Sequence, residues 1–183
     1  STRDFVMTWT PSKLDTPQFG IFAEKWGDDT YLFLNFFPPT NKESLQQDLV
    51  PRDIIVVIDK SGSMQGQSMR QVKKSLLELL ELIDHKTRIN IISFNDSYDL
   101  LFSEPKFADY EIKNLVKKYI KSISPNGGTE MLPAISYALD IPDNPERLTQ
   151  IITLTDGQIY DEPILFKLIE KNIGKKRLFM VGM

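Results

Sequence analysis

The chain has 183 residues, of which 41% are hydrophobic and 26% are charged, and it contains no cysteine. Its formal net charge of −3 gives no reason to expect a nucleic-acid partner, because such binders usually present a basic face. No apolar run approaches the ~20 residues needed to span a bilayer, so we expect no direct membrane insertion. Without cysteine, disulfides and thiolate chemistry are excluded.

Two regions of the chain differ in pattern, and we interpret them as residues 1–50 and residues 51–183. The first region is rich in aromatic residues and predicts strands over 5–9, 19–23 and 31–37, followed by a polar linker. We interpret it as a β-rich extension and linker from a preceding module.

The second region alternates between strand and helix patterns. It predicts strands over 53–59, 88–94, 98–103, 150–155 and 177–183, and helices over 67–83, 112–123, 131–140 and 162–172. The short turn at 95–97 allows only an antiparallel hairpin. We therefore predict an α/β fold with a doubly wound, mostly parallel sheet and one antiparallel edge strand. Since the last pattern is a strand, we expect an excised fragment that lacks a C-terminal helix.

Hard oxygen donors follow the most apolar strand of the chain. The run Ile54-Ile55-Val56-Val57-Ile58 belongs in the middle of a parallel sheet, and Asp59, Ser61 and Ser63 come directly after it. Open α/β sheets bind ligands at the carboxyl ends of their strands. One carboxylate and two hydroxyls suit a hard divalent cation such as Mg²⁺.

Two later loops add further oxygen donors beside glycines. Thr129 ends the segment Pro125-Asn126-Gly127-Gly128-Thr129, and Asp156 lies in Leu154-Thr155-Asp156-Gly157. In a doubly wound sheet both loops share an edge with the end of the first strand. Each residue taken alone also has a purely structural interpretation: a turn at Asp59 or Asp156, loop bonds from the serines, and a helix N-cap at Thr129.

The sequence lacks the common motifs of phosphate-binding, dinucleotide-binding and serine-nucleophile enzymes. The chain has neither a Gly-x-x-x-x-Gly-Lys-Ser/Thr loop nor a Gly-x-Gly-x-x-Gly loop, and no Gly-x-Ser-x-Gly elbow surrounds Ser61 or Ser63. The sole histidine, His85, follows the first predicted helix and is expected at the opposite end of the sheet. We therefore predict that the domain is not an enzyme.

Taken together, the motifs resemble the metal-ion-dependent adhesion site of von Willebrand factor A-type domains. The sequence around these motifs, including Gly127-Gly128-Thr129-Glu130-Met131, is similar to the A domains of the inter-alpha-trypsin-inhibitor heavy-chain and vault-associated group. The resemblance implies a Rossmann-like fold and a metal site that uses all five positions of the motif: Asp59, Ser61, Ser63, Thr129 and Asp156.

The resemblance also implies a function. It predicts a domain that binds Mg²⁺, with Mn²⁺ or Ca²⁺ as alternatives, and accepts an Asp or Glu carboxylate from a protein partner through the metal. Relatives of this arrangement are commonly secreted or held at the cell surface or envelope, so we expect such a location. The alternatives are a metal-dependent hydrolase and a scaffold whose metal is purely structural.

Overall fold

The computed structural model describes residues 18–27, 29–37, 50–156 and 162–183. The chain divides into two compact units, Ser1–Leu49 and Val50–Met183. The strand predicted over 5–9 lies outside the described residues, and so does the linker predicted over 40–50 except for Val50.

The first unit contains a regular antiparallel hairpin. Strands β1 (Gln18–Trp26) and β2 (Asp29–Phe37) pair from Gln18 opposite Phe37 to Trp26 opposite Asp29. Gly27, with φ +64°, lies in the two-residue turn, where a left-handed conformation favours glycine.

The second unit is an α/β domain with the predicted alternation of strands and helices. Its elements are β3 (Arg52–Asp59), α1 (Gln67–Leu82), β4 (Arg88–Phe94), β5 (Tyr98–Leu100), β6 (Lys106–Phe107), α2 (Tyr110–Ser122), α3 (Met131–Asp140), β7 (Leu148–Thr155), α4 (Glu162–Asn172) and β8 (Arg177–Gly182). None of the helices in the described residues is long and apolar enough to cross a membrane.

The central sheet has the strand order β5-β4-β3-β7-β8, and β6 also pairs with β4. The four long strands run parallel, whereas β5 and β6 are antiparallel to β4. This arrangement confirms the predicted doubly wound sheet with an antiparallel edge strand. It also places β3 between β4 and β7, so the carboxyl end of β3 lies in the middle of the sheet edge.

Helices cover both faces of β3, which explains its unbroken apolar run. Ile54, Val56 and Ile58 pack into one buried cluster with side chains of α1 and α2. Ile55 and Val57 point to the other face and pack with side chains of α3 and α4. Because alternate side chains of a strand face opposite sides, a strand buried on both faces must be apolar throughout.

The predicted strand over 98–103 is too long, because β5 ends at Leu100. The buried Asn90 of β4 takes over the pairing beyond this point. Its Nδ2 donates to the carbonyl of Phe102 at 2.9 Å, and its Oδ1 accepts the Phe102 N–H at 3.1 Å. A side-chain amide therefore replaces part of the backbone ladder, which hydrophobic periodicity does not reveal.

A buried ion cluster fixes the opposite edge of the sheet. The Asp53 side chain is 2% exposed. Its Oδ1 accepts hydrogen bonds from Nε–H of Arg88 at 2.8 Å and from Nε–H of Arg147 at 2.6 Å. Its Oδ2 contacts Nη2 of Arg88. Arg147 also donates to the carbonyl of Arg52 at 2.8 Å. These bonds join the amino ends of β3, β4 and β7, so they hold the register of the three central strands at that edge.

Candidate metal-binding site

Asp59, at the end of β3, is fully buried and held by two hydrogen bonds. Its Oδ1 accepts the backbone N–H of Ser61 at 2.8 Å, and its Oδ2 accepts the Thr155 hydroxyl at 2.9 Å. The first bond closes a tight turn of the type that Asp favours. The second bond comes from the neighbouring strand β7. The carboxylate is thus oriented before any ligand arrives.

The two serines lie together immediately after this turn. Their Oγ atoms are 3.0 Å apart, with Ser61 buried and Ser63 exposed. Residues Gly62–Met64 form a short 3-10 turn, and the fully buried side chain of Met64 anchors it in the core. The turn therefore presents one hydroxyl inside the protein and one towards solvent.

The loop that carries Thr129 is bonded to the loop after β3. The Asn126 N–H donates to the carbonyl of Lys60 at 2.8 Å, and the Gly62 N–H donates to the carbonyl of Gly127 at 3.0 Å. Thr129 itself is half-buried at the start of α3. The N-cap of this helix is Glu130, so the interpretation of Thr129 as a plain N-cap is wrong.

Asp156 follows β7 and has a buried carboxylate oxygen that lacks a hydrogen bond within the described residues. This oxygen is Oδ1. Buried polar atoms are nearly always paired, and an unpaired carboxylate oxygen is costly. A cation at this position would remove that cost. The glycine after Asp156 lies outside the described residues.

The structure thus brings the five predicted residues to one edge of the sheet. Asp59, Ser61 and Ser63 share one turn, the Thr129 loop is bonded to that turn, and Asp156 follows the threonine that contacts Asp59. Within the described residues, no group of three or more His, Cys, Asp or Glu side chains could hold a metal. A cation bound here would therefore rely on hydroxyl oxygens as well as carboxylates, and this donor set fits a hard divalent ion.

Sequence reasoning missed the role of the loop after β4, because its pattern indicates only a hairpin turn. Its residues Asn95 and Asp96 bond to the Thr129 loop: the Glu130 N–H donates to the carbonyl of Asn95 at 2.6 Å, and the Gly128 N–H donates to Oδ1 of Asp96 at 2.9 Å. The adjacency of β4 to β3 would have indicated this contact. Nearby, Nζ of Lys60 lies 2.5 Å from Oδ2 of Asp99 on β5.

Fold and site together define a doubly wound α/β domain with oxygen-bearing loops at the carboxyl ends of its central strands. The sequence model of the von Willebrand factor type A domain matches residues 52–183. The chain therefore belongs to the von Willebrand factor type A domain family, whose members generally mediate protein interaction and adhesion.

Curated relatives extend the match to nearly the whole chain. One von Willebrand factor A domain-containing protein of Dictyostelium discoideum is 28% identical over 98% of this chain and 20% of its own length. Another from the same organism is 32% identical over 85% of this chain and 17% of its own length. The human protein mono-ADP-ribosyltransferase PARP4 is 31% identical over 71% of this chain but only 7% of its own length. The chain spans about a fifth, or less, of the relatives it matches.

Solved structures show the same fold. A von Willebrand factor type A structure from Catenulispora acidiphila superposes with a TM-score of 0.67 at 19% identity, covering 96% of this chain and 42% of that one. Proximal thread matrix protein 1 from the mussel byssus was solved with zinc in its metal-ion-dependent adhesion site (MIDAS) motif. It has a TM-score of 0.55 at 21% identity. That match covers 73% of this chain and 38% of the mussel chain.

Proposed function

We propose that this domain binds a protein partner through a divalent cation held by Asp59, Ser61, Ser63, Thr129 and Asp156. The observation that carries the proposal is the buried Oδ1 of Asp156, which has no hydrogen-bond partner among the described residues. It lies one residue after Thr155, whose hydroxyl orients the buried carboxylate of Asp59. A cation would satisfy the unpaired oxygen at the edge where the loops that carry all five residues lie.

The charge of the donor set explains why the partner should be acidic. The carboxylates of Asp59 and Asp156 together offset the charge of a divalent ion, while the hydroxyls of Ser61, Ser63 and Thr129 add no charge. Bound there, the ion would supply a Lewis-acidic point with residual attraction for an outside oxygen. An Asp or Glu side chain of a partner protein is the donor that best meets this attraction, because its anionic oxygen is a stronger ligand for a hard cation than a neutral water or hydroxyl.

Mg²⁺ is our proposed ion, with Mn²⁺ or Ca²⁺ as alternatives, because all five donors are oxygens and hard cations prefer oxygen ligands. The mussel thread protein, whose MIDAS motif is occupied by zinc, supports metal binding by this fold at low sequence identity. We also propose that the domain belongs to the inter-alpha-trypsin-inhibitor heavy-chain and vault-associated group of von Willebrand factor A-type domains.

We further propose that the domain is not an enzyme and acts at the cell surface or outside the cell. The carboxylates that could serve as a general base are assigned to the metal, and His85 precedes β4 at the opposite end of the sheet. The location is supported by two proteins of similar fold, an aerotolerance-related membrane protein from Bacteroides fragilis and a matrix protein of the mussel byssus.

Metal binding is tested by calorimetric titration of the chelator-stripped chain with Mg²⁺, Mn²⁺ and Ca²⁺. The intact chain should bind at least one of these ions with one-site stoichiometry, and Asp156→Asn should weaken binding by at least about tenfold. Asp140→Asn is the matched control, because Asp140 is an exposed aspartate at the far end of α3. Absence of binding, or equal losses in both variants, would refute the proposed site.

An open coordination position is tested on the Mn²⁺-loaded chain by water-proton relaxation. Acetate should lower the relaxivity, because its carboxylate replaces a water on the ion, whereas acetamide should have little effect. If the ion binds but acetate changes nothing, the metal is closed to outside carboxylates and its role is structural.

A further inference from the structure

The loop after β4 makes contacts that the proposed metal ligands do not explain. We infer that Asp96 in this loop is a positioning residue that holds the backbone around Thr129 in place. The expected effect of Asp96 on metal affinity rests on the proposed function, whereas the expected effect of Asp96 on the backbone around Thr129 does not.

Thr129 is held on both sides by two consecutive residues. The amide before it, Gly128 N–H, donates to Oδ1 of Asp96 at 2.9 Å, and the amide after it, Glu130 N–H, donates to the carbonyl of Asn95 at 2.6 Å. Asn95 and Asp96 directly follow β4. A single rigid strand end thus fixes the backbone on either side of Thr129.

The bond from Asp96 is the one that a side chain controls. Carboxylates form stronger hydrogen bonds with backbone amides than neutral acceptors do. Asp96 is exposed, so its side chain is not needed to fill the core. Asn95 reinforces the attachment, because its Nδ2 donates to Oδ1 of Asn126 at 2.7 Å, near the start of the same loop.

The two glycines before Thr129 provide an independent sign of this contact. A Cβ on Gly128 would lie 2.8 Å from Oδ1 of Asp96, and a Cβ on Gly127 would also collide with the Asp96 carboxylate. Gly127 needs its φ of +73°, but Gly128 has no positive φ that would require glycine. A side chain at position 128 would therefore force the exposed Asp96 carboxylate to move away and give up its bond to the residue-128 amide.

The first test uses backbone amide exchange, followed by NMR, in the metal-free chain. Asp96→Ala should speed exchange of the Gly128 amide by about tenfold or more, because a charge-assisted bond is lost. Asp96→Asn, which keeps an acceptor oxygen at the same place, should have a clearly smaller effect. Glu104→Ala is the control, since Glu104 is an exposed carboxylate that bonds to Lys106 and not to this loop. Unchanged exchange in Asp96→Ala would overturn the inference, whether or not the chain binds metal.

The second test measures Mg²⁺ and Mn²⁺ affinity by calorimetry on the same variants. Asp96→Ala should weaken affinity by roughly tenfold, as is typical when a group that orients a metal ligand is removed. Asp96→Asn should weaken it by less than about threefold, because an acceptor oxygen remains. If Asp96→Asn loses affinity as completely as Asp96→Ala, the carboxylate is itself a metal ligand and the positioning role is wrong.

A double-variant comparison tests whether Gly128 and Asp96 act through one contact. Gly128→Ala should speed exchange of the residue-128 amide, relative to its intrinsic rate, in the wild-type background, because the added Cβ pushes the Asp96 carboxylate away. In the Asp96→Ala background the same change should add little, because the colliding group is gone. Strict additivity of the two effects would show that the glycine has another purpose, and would overturn the inferred contact.

Discussion

The hydroxyl of Thr155 donates to Oδ2 of Asp59 at 2.9 Å and so ties the ends of β7 and β3 together. Both residues are buried, with 2% and 0% of their surface exposed. Because the Ser61 amide holds the other oxygen of the same carboxylate, Asp59 cannot turn freely. A threonine outside the predicted five-residue motif therefore orients the first residue of that motif.

Thr155→Val should show the value of this hydrogen bond. The substitution keeps the shape of the side chain but removes a donor from a buried carboxylate, so the free energy of unfolding should fall by about 1–3 kcal/mol. Metal affinity should fall roughly tenfold, because Asp59 is less well oriented. Urea denaturation and calorimetric titration measure the two effects. Thr155→Ser keeps the hydroxyl and is the control; if it behaves like Thr155→Val, the bond to Asp59 is not the cause.

Asp156→Asn should separate metal binding from metal-free stability. The Oδ1 of Asp156 has no partner among the described residues, so removing its charge should leave the metal-free free energy of unfolding unchanged or slightly higher. The stabilisation that added Mg²⁺ gives to the wild-type chain should largely disappear. Thermal unfolding with chelator and with Mg²⁺ measures both effects. A large loss of stability in the presence of chelator would mean that Asp156 is needed for the fold.

Ser61→Asp tests the open character of the proposed site. Ser61 is 1% exposed and its amide contacts Asp59, so a second carboxylate there should lower metal-free stability by about 3 kcal/mol. The ion should then bind more tightly, and acetate should no longer alter the water relaxation of the Mn²⁺-loaded chain. Ser61→Asn is the uncharged control of matching size. A normal response to acetate in Ser61→Asp would contradict the charge argument.

The Asp53 cluster predicts a defined loss of stability in acid. Burial raises the pKa of Asp53, but hydrogen bonds and charge from Arg88 and Arg147 outweigh it, so the pKa in the folded state lies below its usual value. A lowered folded pKa stabilises the fold above the unfolded value of about 3.9, and this stabilisation is lost as the pH falls through the folded pKa.

Asp53→Asn should therefore cost about 3 kcal/mol of unfolding free energy at neutral pH, because it leaves two partly buried arginines without their anion. The difference from wild type should shrink below about pH 4, where the wild-type carboxyl also becomes protonated. Urea denaturation across a pH series in chelator measures this, with Asp140→Asn as the exposed control. A difference that does not change with pH would point to lost packing rather than lost charge.

Much of the fold could be predicted because its signals are local. The apolar run before Asp59 and the helical spacing in α1 and α2 placed these elements within a few residues of their observed bounds. The end of β5 could not be predicted, because Asn90 pairs with Phe102 through its side chain. The two-residue strand β6 was also missed, since it is too short to show a period.

The sequence by itself determined the types of donor and the order of the loops that carry them. Strand alternation and oxygen-bearing residues at strand ends are properties of short segments, and these sufficed for Asp59, Ser61, Ser63, Thr129 and Asp156. Only the tertiary structure decided how the loops are held. The bonds from Thr155 and Asp96 connect residues 96 and 32 positions apart, and such pairings exist only once the strands lie side by side.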